Sequence, residues 1–266
     1  MQKLVALVLT GLLLASCAST DASDHSHHTS TIDESDFSQA SPAPDGGTFL
    51  SANISEAVKS IELYDTEGKP FSLLDLQGQI IVLANFYTSC SHICPMTSAN
   101  MKEISNDISA SGLADKITVL EVSVDGNRDD VQRIRAYQEL FGEKSWKMAT
   151  ASQKELSKFW KSFGVIPESE PLTQAEQESE PKDWLTGETN KYRMIDAPVV
   201  LLIDPNLKWR WLNTGFPDAS KEYVPSTLMN YLSEHGLDTL DNPGEGAWTL
   251  KSVFSAIKQI SGYEIG

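Results

Sequence analysis

Two cysteines four residues apart, Cys90 and Cys94, are the residues of this sequence best suited to chemistry. They follow an apolar run from Ile80 to Phe86 and precede Pro95, a residue favoured in the first turn of a helix. Unpaired N–H groups at the start of such a helix favour a thiolate over a thiol. Two sulfur atoms at this spacing could close into a disulfide or bind one soft metal ion, Cu(I) or Zn²⁺. The sequence therefore predicts accessible sulfurs in a redox or metal site, with an inert buried pair as the alternative.

The elements that must position these cysteines alternate between strands and helices. Apolar spacing predicts strands at 80–86, 117–124, 146–149, 199–203 and 208–212, a hairpin at 61–73, and helices at 95–111, 129–141, 156–163, 223–234 and 250–260. This alternation predicts an α/β fold, in which helices cover the faces of a sheet. The predicted domain spans residues 49–235, and residues 236–266 form a C-terminal helical extension.

The N-terminal residues have the features of a targeting segment. Lys3, the apolar run from Leu4 to Leu14 and the sequence Leu-Ala-Ser-Cys17 resemble a bacterial lipoprotein signal. We therefore predict a signal peptide at 1–16, lipidation of Cys17, and a disordered tether at 17–48. The protein would be a bacterial lipoprotein anchored in a membrane and facing the periplasm. Three tether histidines, at 25, 27 and 28, could bind Cu(II) or Zn²⁺ or simply be hydrophilic.

Charge excludes one class of partner and marks one segment. The 266 residues carry a net charge of −16, which argues against nucleic acid as a partner. Residues 167–190 are strongly acidic and should form a solvated insertion. With Trp184 and Leu185 inside it, this insertion could dock a basic partner or be an uninvolved loop.

Four segments together resemble the Sco (SenC) family, thioredoxin-fold assembly factors for copper-containing respiratory oxidases. They are the hairpin and strand from Ile61 to Leu83, the cysteine segment Asn85–Pro95, the sequence Val-Ser-Val-Asp-Gly-Asn-Arg-Asp at 122–129, and the strand and Asp-Pro turn at 199–205. The resemblance implies a thioredoxin-like fold with an N-terminal hairpin and a central mixed sheet. It also implies copper as a candidate cofactor and, as partner, a cysteine-bearing oxidase subunit or a periplasmic redox protein.

One position departs from the family pattern. The resemblance implies a histidine as third copper ligand eight residues before Asp204, and this chain has Asp196 there. A carboxylate is a hard ligand, ill suited to Cu(I). Met194, Asp196 and His92 are the candidates for a substitute third ligand. Their alternatives are a packed methionine, a surface carboxylate or proton acceptor, and an exposed histidine pointing away from the sulfurs.

Four further residues have expected roles. Pro198 resembles the cis-proline that faces the redox cysteines in thioredoxins, although a proline can also simply begin a strand. Asp125 and Arg128 are expected to form a structural ion pair, with Asp129 as the alternative partner of Arg128. His235 is expected to cap the C-terminus of the helix at 223–234.

Three hypotheses of function remain open. In the first, Cys90 and Cys94 form a redox disulfide and act as a thiol–disulfide oxidoreductase that needs no cofactor, Cys90 attacking and Cys94 resolving. In the second, the two sulfurs bind Cu(I) and the protein is a metallochaperone in copper oxidase assembly. In the third, the protein is a redox-inert adaptor that docks through its acidic insertion.

Overall fold

The computed structural model describes residues 40–142 and 146–266. The predicted signal peptide, the lipidation site Cys17, the tether histidines and most of the tether lie outside these residues. Sheet pairing is already present before residue 49, the predicted start of the domain, because Ser41 and Pro42 pair with the strand that follows. In the part of the chain that is described, no helix has the length and apolar character needed to cross a membrane.

A nine-stranded mixed sheet forms the centre of the molecule. Its strands are β1 Ser41–Pro42, β2 Thr48–Asn53, β3 Leu63–Asp65, β4 Pro70–Phe71, β5 Ile80–Phe86, β6 Ile117–Ser123, β7 Lys147–Thr150, β10 Val200–Ile203 and β11 Lys208–Asn213. Their order across the sheet is β1-β2-β11-β10-β5-β6-β7-β3-β4. A separate antiparallel pair consists of β8 Glu168–Pro171 and β9 Tyr192–Ile195.

Helices cover this sheet. They are α1 Glu56–Lys59, α2 Cys94–Ala110, α3 Val131–Leu140, α4 Gln153–Lys161, α5 Gln174–Ser179, α6 Ser226–Met229, α7 Glu234–Asp241 and α8 Leu250–Ser261. With the hairpin β3–β4 at the sheet edge and the helices α7 and α8 at the C-terminus, the predicted α/β architecture is confirmed.

The strand before the cysteines is the middle of the sheet. β5 pairs in parallel with β6 along its whole length and antiparallel with β10, so every one of its seven residues is buried. Helix α2 packs against this region through apolar residues at the predicted spacing, Met101, Ile104 and Ile108. The strand and the helix thus fix both ends of the cysteine segment.

Two expectations need correction. The single helix predicted over 223–234 is broken, because Pro225 precedes the short α6 and Ser233 caps a new helix by accepting a hydrogen bond from the Gly236 N–H. The acidic insertion was expected to be solvated throughout, yet it forms β8 and α5 and buries Asp183, which is 7% exposed. Asp183 is buried because it forms an ion pair with Arg133 of α3.

Candidate functional site

The two cysteines meet where β5 gives way to α2. Residues 87–93 form a loop, named the cysteine loop here, and Cys94 is the first residue of the helix. Both thiols are free, and the N–H of Cys94 donates to the Cys90 sulfur over 3.4 Å. The structure therefore brings the two predicted sulfurs together.

The two sulfurs have opposite proton affinities. Burial raises the pKa of the Cys90 thiol, but hydrogen bonds from the Cys94 side chain and from the N–H groups of Cys94 and His92 outweigh it, so this pKa is lowered. Burial and the neighbouring Cys90 sulfur raise the pKa of Cys94 well above its ordinary value. Cys90 is therefore the sulfur that ionises first.

The sulfurs are buried, which corrects the expectation of an accessible pair. Cys90 is 3% exposed and Cys94 is 5% exposed. Tyr87, also buried, lies beside them, and the charges of both sulfurs contribute to raising the pKa of its hydroxyl after burial itself. A large reactant can reach Cys90 only if neighbouring groups move.

Asn85, the next-to-last residue of β5, holds the segment that contains Asp196 and Pro198. Its side-chain N–H donates to the Asp196 carboxylate and, over 3.0 Å, to the Ala197 carbonyl. Its side-chain oxygen accepts from the Val199 N–H over 2.8 Å. One side chain therefore fixes the backbone on both sides of Pro198, at the start of β10.

The carboxylate of Asp196 interacts electrostatically with both sulfurs. Burial raises its pKa to about 7, although the Asn85 hydrogen bond lowers it, and its charge contributes to raising the pKa of Cys94. The position expected to hold a histidine thus holds a half-buried carboxyl that titrates near neutral pH.

A buried hydrogen-bond network around Asp129 fixes the start of the cysteine loop. The Asp129 carboxylate accepts from the Thr88 N–H (3.1 Å), the Thr88 hydroxyl (2.5 Å) and the Ser123 hydroxyl (2.6 Å). Burial raises the pKa of Asp129 to about 6 against these hydrogen bonds. Arg133 of α3 donates to the Thr88 hydroxyl and to the Ser89 hydroxyl (2.9 Å), so the loop is tied to α3 as well.

Residues 168–195, named the cover here, contact the cysteine loop on both sides of Cys90. The Tyr87 hydroxyl donates to the Met194 carbonyl over 3.4 Å, and the Trp184 indole donates to the Thr88 carbonyl over 2.8 Å. The hydroxyl of Ser91 donates to Glu180 over 3.1 Å. The acidic insertion is thus part of the site, which local composition did not indicate.

The C-terminal region holds the same loop from another side. The Tyr231 hydroxyl donates to the Ser89 carbonyl (2.9 Å), and the Ser233 N–H donates to the Ser91 carbonyl (2.8 Å). Gly236 packs so closely that an added Cβ would lie 2.5 Å from the Ser91 oxygen. These contacts hold the loop against α7.

The histidines near the site do not face the sulfurs. His92 is half-buried, with its ring 4.1 Å from that of His235 and its Nε2 atom 2.8 Å from the Thr239 hydroxyl. Burial and the nearby charge of His235 lower the pKa of His92 to about 4. His92 is therefore not exposed as expected, and His235 stands in the first turn of α7 rather than capping the end of a helix.

The other candidates take structural positions. Met194 is a packed core residue of β9, 7% exposed. Asp125 and Arg128 form the expected ion pair, and Arg128 also stacks on the Tyr192 ring with 3.8 Å to its centre. The cis state of Pro198 and the disulfide between Cys90 and Cys94 stay predictions.

A three-ligand metal site does not fit this arrangement. Within residues 40–142 and 146–266, no group of three His, Cys, Asp or Glu side chains is placed to hold a metal ion. Cys90 and Cys94 are soft ligands, whereas Asp196 is a hard one. Among these four residue types, the two sulfurs are therefore the pair best placed to bind a soft metal ion.

Sequence reasoning missed several residues that shape the site. Asn85 had a visible signal, since it is the one side chain with a polar head in an otherwise apolar strand. Arg133, Asp183 and Tyr231 had none, because their partners lie far away in the chain.

Comparison with known proteins identifies the same family by sequence and by structure. The family model described as SCO1/SenC matches residues 52–215. A "Putative copper-binding protein" of Stutzerimonas stutzeri is 25% identical over 116 residues, a match that covers 43% of this chain and only 56% of that protein. A SCO1 protein homolog of Bacillus subtilis is 26% identical over 132 residues, covering 47% of this chain and 67% of the homolog.

Solved structures with a similar chain include copper-bound ScoI of Arabidopsis thaliana, with a TM-score of 0.48 and 19% identity. That match covers 75% of this chain and 96% of ScoI. A SCO1/SenC family lipoprotein of Bacillus anthracis has a TM-score of 0.47 and 22% identity, covering 64% of this chain and 91% of the lipoprotein.

Proposed function

Since this chain belongs to the SCO1/SenC family, we propose that it acts in copper oxidase assembly as a thiol–disulfide oxidoreductase for the cysteines of a partner protein. The observation that carries the proposal is the difference in pKa between the two cysteine thiols. The Cys94 N–H donates to Cys90 Sγ, and the pKa of Cys90 is lowered while that of Cys94 is raised. An attacking thiolate and a protonated resolving thiol are what a dithiol reductant needs.

The exchange proceeds in two steps. The Cys90 thiolate attacks one sulfur of the partner disulfide; a mixed disulfide forms, and the second partner sulfur leaves as a thiolate. Cys94 then loses its proton and attacks Cys90 Sγ, which breaks the mixed disulfide and releases the first partner sulfur. The partner disulfide gains two electrons, the Cys90–Cys94 pair loses two, and the partner thiolates take protons from water.

Asp196 is the group that accepts the proton of Cys94 in this proposal. Its carboxyl lies near both sulfurs, Asn85 holds it in place, and burial raises its pKa to about 7. A proton acceptor works best when its pKa is near the working pH. Pro198 would face the reacting sulfurs from the same segment.

The proposed reaction requires that the partner disulfide reach the buried Cys90. Because both sulfurs are buried, the partner disulfide must enter beside Tyr87 or displace part of the cover. Alkylation of the folded, reduced protein by iodoacetamide should therefore be slow compared with a free thiol, and Cys90 should react before Cys94.

A second candidate is carriage of Cu(I) as cargo between partners. Two adjacent thiols in a buried position are soft ligands that suit Cu(I), and the S. stutzeri relative is named for copper binding. Met194, Asp196 and His92 are weak third ligands for the reasons given above. A carrier of this kind would hold Cu(I) through Cys90 and Cys94 alone.

The two candidates separate in one pair of measurements on reduced protein. Equilibration with glutathione buffers gives the dithiol potential, and titration with Cu(I) in the presence of a competing chelator gives the affinity. A defined potential with weak copper binding supports the oxidoreductase, whereas a tight 1:1 complex that is lost in Cys90→Ser supports the carrier. If a Cys90→Ser, Cys94→Ser double variant still supports oxidase assembly in cells, both are wrong and an adaptor role remains.

We also propose that Cys17 anchors the protein to a bacterial membrane facing the periplasm. The support is the segment that resembles a lipoprotein signal, followed by a polar tether. Metabolic labelling with a radioactive fatty acid should mark the wild type and not Cys17→Ser, which should fractionate away from membranes. Labelling of Cys17→Ser would refute this anchor.

A further inference from the structure

A cleft of about 300 Å³ opens against the cysteine loop on both sides of Cys90 in the chain. The loop supplies Tyr87, Ser89 and Ser91 to its wall, the cover supplies Glu180, and the C-terminal region supplies Ser233 and His235. Cys90 and Cys94 are buried and do not line the cleft, but Ser89 and Ser91, the two chain neighbours of Cys90, do. The cleft is therefore an opening beside the loop position that holds the attacking sulfur.

The cleft is small. Sites that hold small ligands usually range from about 300 to 1,000 Å³, so this one is at the lower limit. The cover fixes its width, because Trp184 and Glu180 are hydrogen-bonded to Thr88 and Ser91. A flat face of a folded partner cannot enter such a space, whereas a short flexible segment of polypeptide can.

The cleft also carries a negative charge next to Cys90. Glu180 accepts one hydrogen bond, from the Ser91 hydroxyl, and within the described residues no Lys or Arg side chain forms an ion pair with it. Arg193, the cation in the same wall, is already bound to two carboxylates, Glu170 at 2.5 Å and Glu176 at 3.2 Å. An incoming positive side chain would therefore meet Glu180 without a competing cation.

We propose that this cleft binds the substrate of the dithiol, a flexible segment of a partner protein with a basic residue next to its disulfide-bonded cysteine. The inference deepens the proposed oxidoreductase function and rests on it. Because Ser91 follows Cys90 directly and bonds to Glu180, the residue beside the attacked cysteine falls near that carboxylate. This cleft is thus an entry of defined size and charge beside a sulfur that large reactants cannot reach directly.

The test uses the reduced full chain with Cys17→Ser, which has Cys90 and Cys94 as its only thiols. Two seven-residue peptides carry one cysteine as a neutral methyl disulfide, flanked by lysine in one peptide and by glutamate in the other. Quenched time courses read by mass spectrometry give the rate of each reduction. We expect the lysine peptide to react at least about fivefold faster, and this ratio should shrink in 0.5 M NaCl.

Matched variants assign the preference to one carboxylate. Glu180→Gln should reduce the ratio of the two rates to about twofold or less. Glu178→Gln, on α5 two residues earlier and hydrogen-bonded only to Gln174 among the described residues, should leave the ratio unchanged. Circular dichroism checks that both variants fold.

Each outcome has a distinct meaning. Equal rates for the two peptides in the wild type, or a preference that survives Glu180→Gln, overturn the inference while the oxidoreductase function stands. If neither peptide is reduced, although dithiothreitol reduces both, the proposed function fails and this inference fails with it.

Discussion

Replacing Asn85 by alanine should loosen the segment that carries Asp196 and Pro198, at a cost that depends on pH. Asn85 makes three hydrogen bonds there. Ala197 is exposed, so water can replace the hydrogen bond to its carbonyl at little cost. The Val199 N–H is in a buried residue and loses its only hydrogen-bond partner among the described residues, which costs about 1 to 3 kcal/mol.

The total loss of unfolding free energy should be about 2 to 3 kcal/mol at pH 8 and smaller at pH 5. Folded Asp196 keeps its proton up to about pH 7, whereas the unfolded carboxyl releases it near its ordinary pKa of 3.8. This group therefore lowers stability as pH rises between these values. Removing the Asn85 N–H raises the pKa of Asp196 further, so the added loss appears only where the wild-type carboxylate is ionised.

Urea unfolding under reducing conditions at pH 5 and pH 8 measures this effect. For a slope of about 2 kcal/mol per molar urea, the midpoint should fall by roughly 1 M at pH 8. Asn230→Ala, at an exposed position, is the matched control and should change little. A loss below about 0.5 kcal/mol, or the same loss at both pH values, would refute the role assigned to Asn85.

Three further predictions concern other parts of the site. Burial raises the pKa of Glu121 to about 8, so the wild-type protein should lose about 1.4 kcal/mol of unfolding free energy per pH unit between pH 5 and 8. Glu121→Gln should flatten this dependence. Parallel curves of unfolding free energy against pH for the wild type and the variant, measured with urea, would contradict the prediction. Asp183→Asn should remove one of the two carboxylates paired with Arg133, the one in the cover, and speed iodoacetamide alkylation of Cys90 about tenfold. An unchanged rate would show that the cover does not restrict access. Gly236→Ala should lower stability by about 1 to 3 kcal/mol in thermal unfolding, because its Cβ meets the Ser91 carbonyl; a neutral result would mean that α7 can shift freely.

The elements next to the cysteines were predictable because their signals are local. β5 is an uninterrupted apolar run that matches the predicted strand, and Pro95 marks the start of α2 within one residue. For both elements, a property of neighbouring residues contained the information. The place of Asp196 beside the sulfurs was indicated only by the resemblance to the Sco family.

The surroundings of the site were not predictable in this way. Residues 167–190 have the composition of a solvated loop, and the cation that pairs with the buried Asp183 is Arg133, 50 residues away in the chain. The prediction that the sulfurs are accessible was wrong for the same reason. The cover contacts the residues around Cys90, yet it lies almost a hundred residues away in the chain. The broken helix at 223–234 could have been found, because Pro225 and the Ser233 cap are visible signals.

The anchorage of the cysteine loop has a consequence for comparing members of the family. The shared portion of the chain, residues 52–215, contains both sulfurs, yet Tyr231, Ser233 and Gly236, which fasten one side of their loop, come after it. A shortened protein cut at the common boundary would retain every reactive atom and lose part of the frame around it. Identical cysteine motifs in relatives with different tails need not share one potential or one rate.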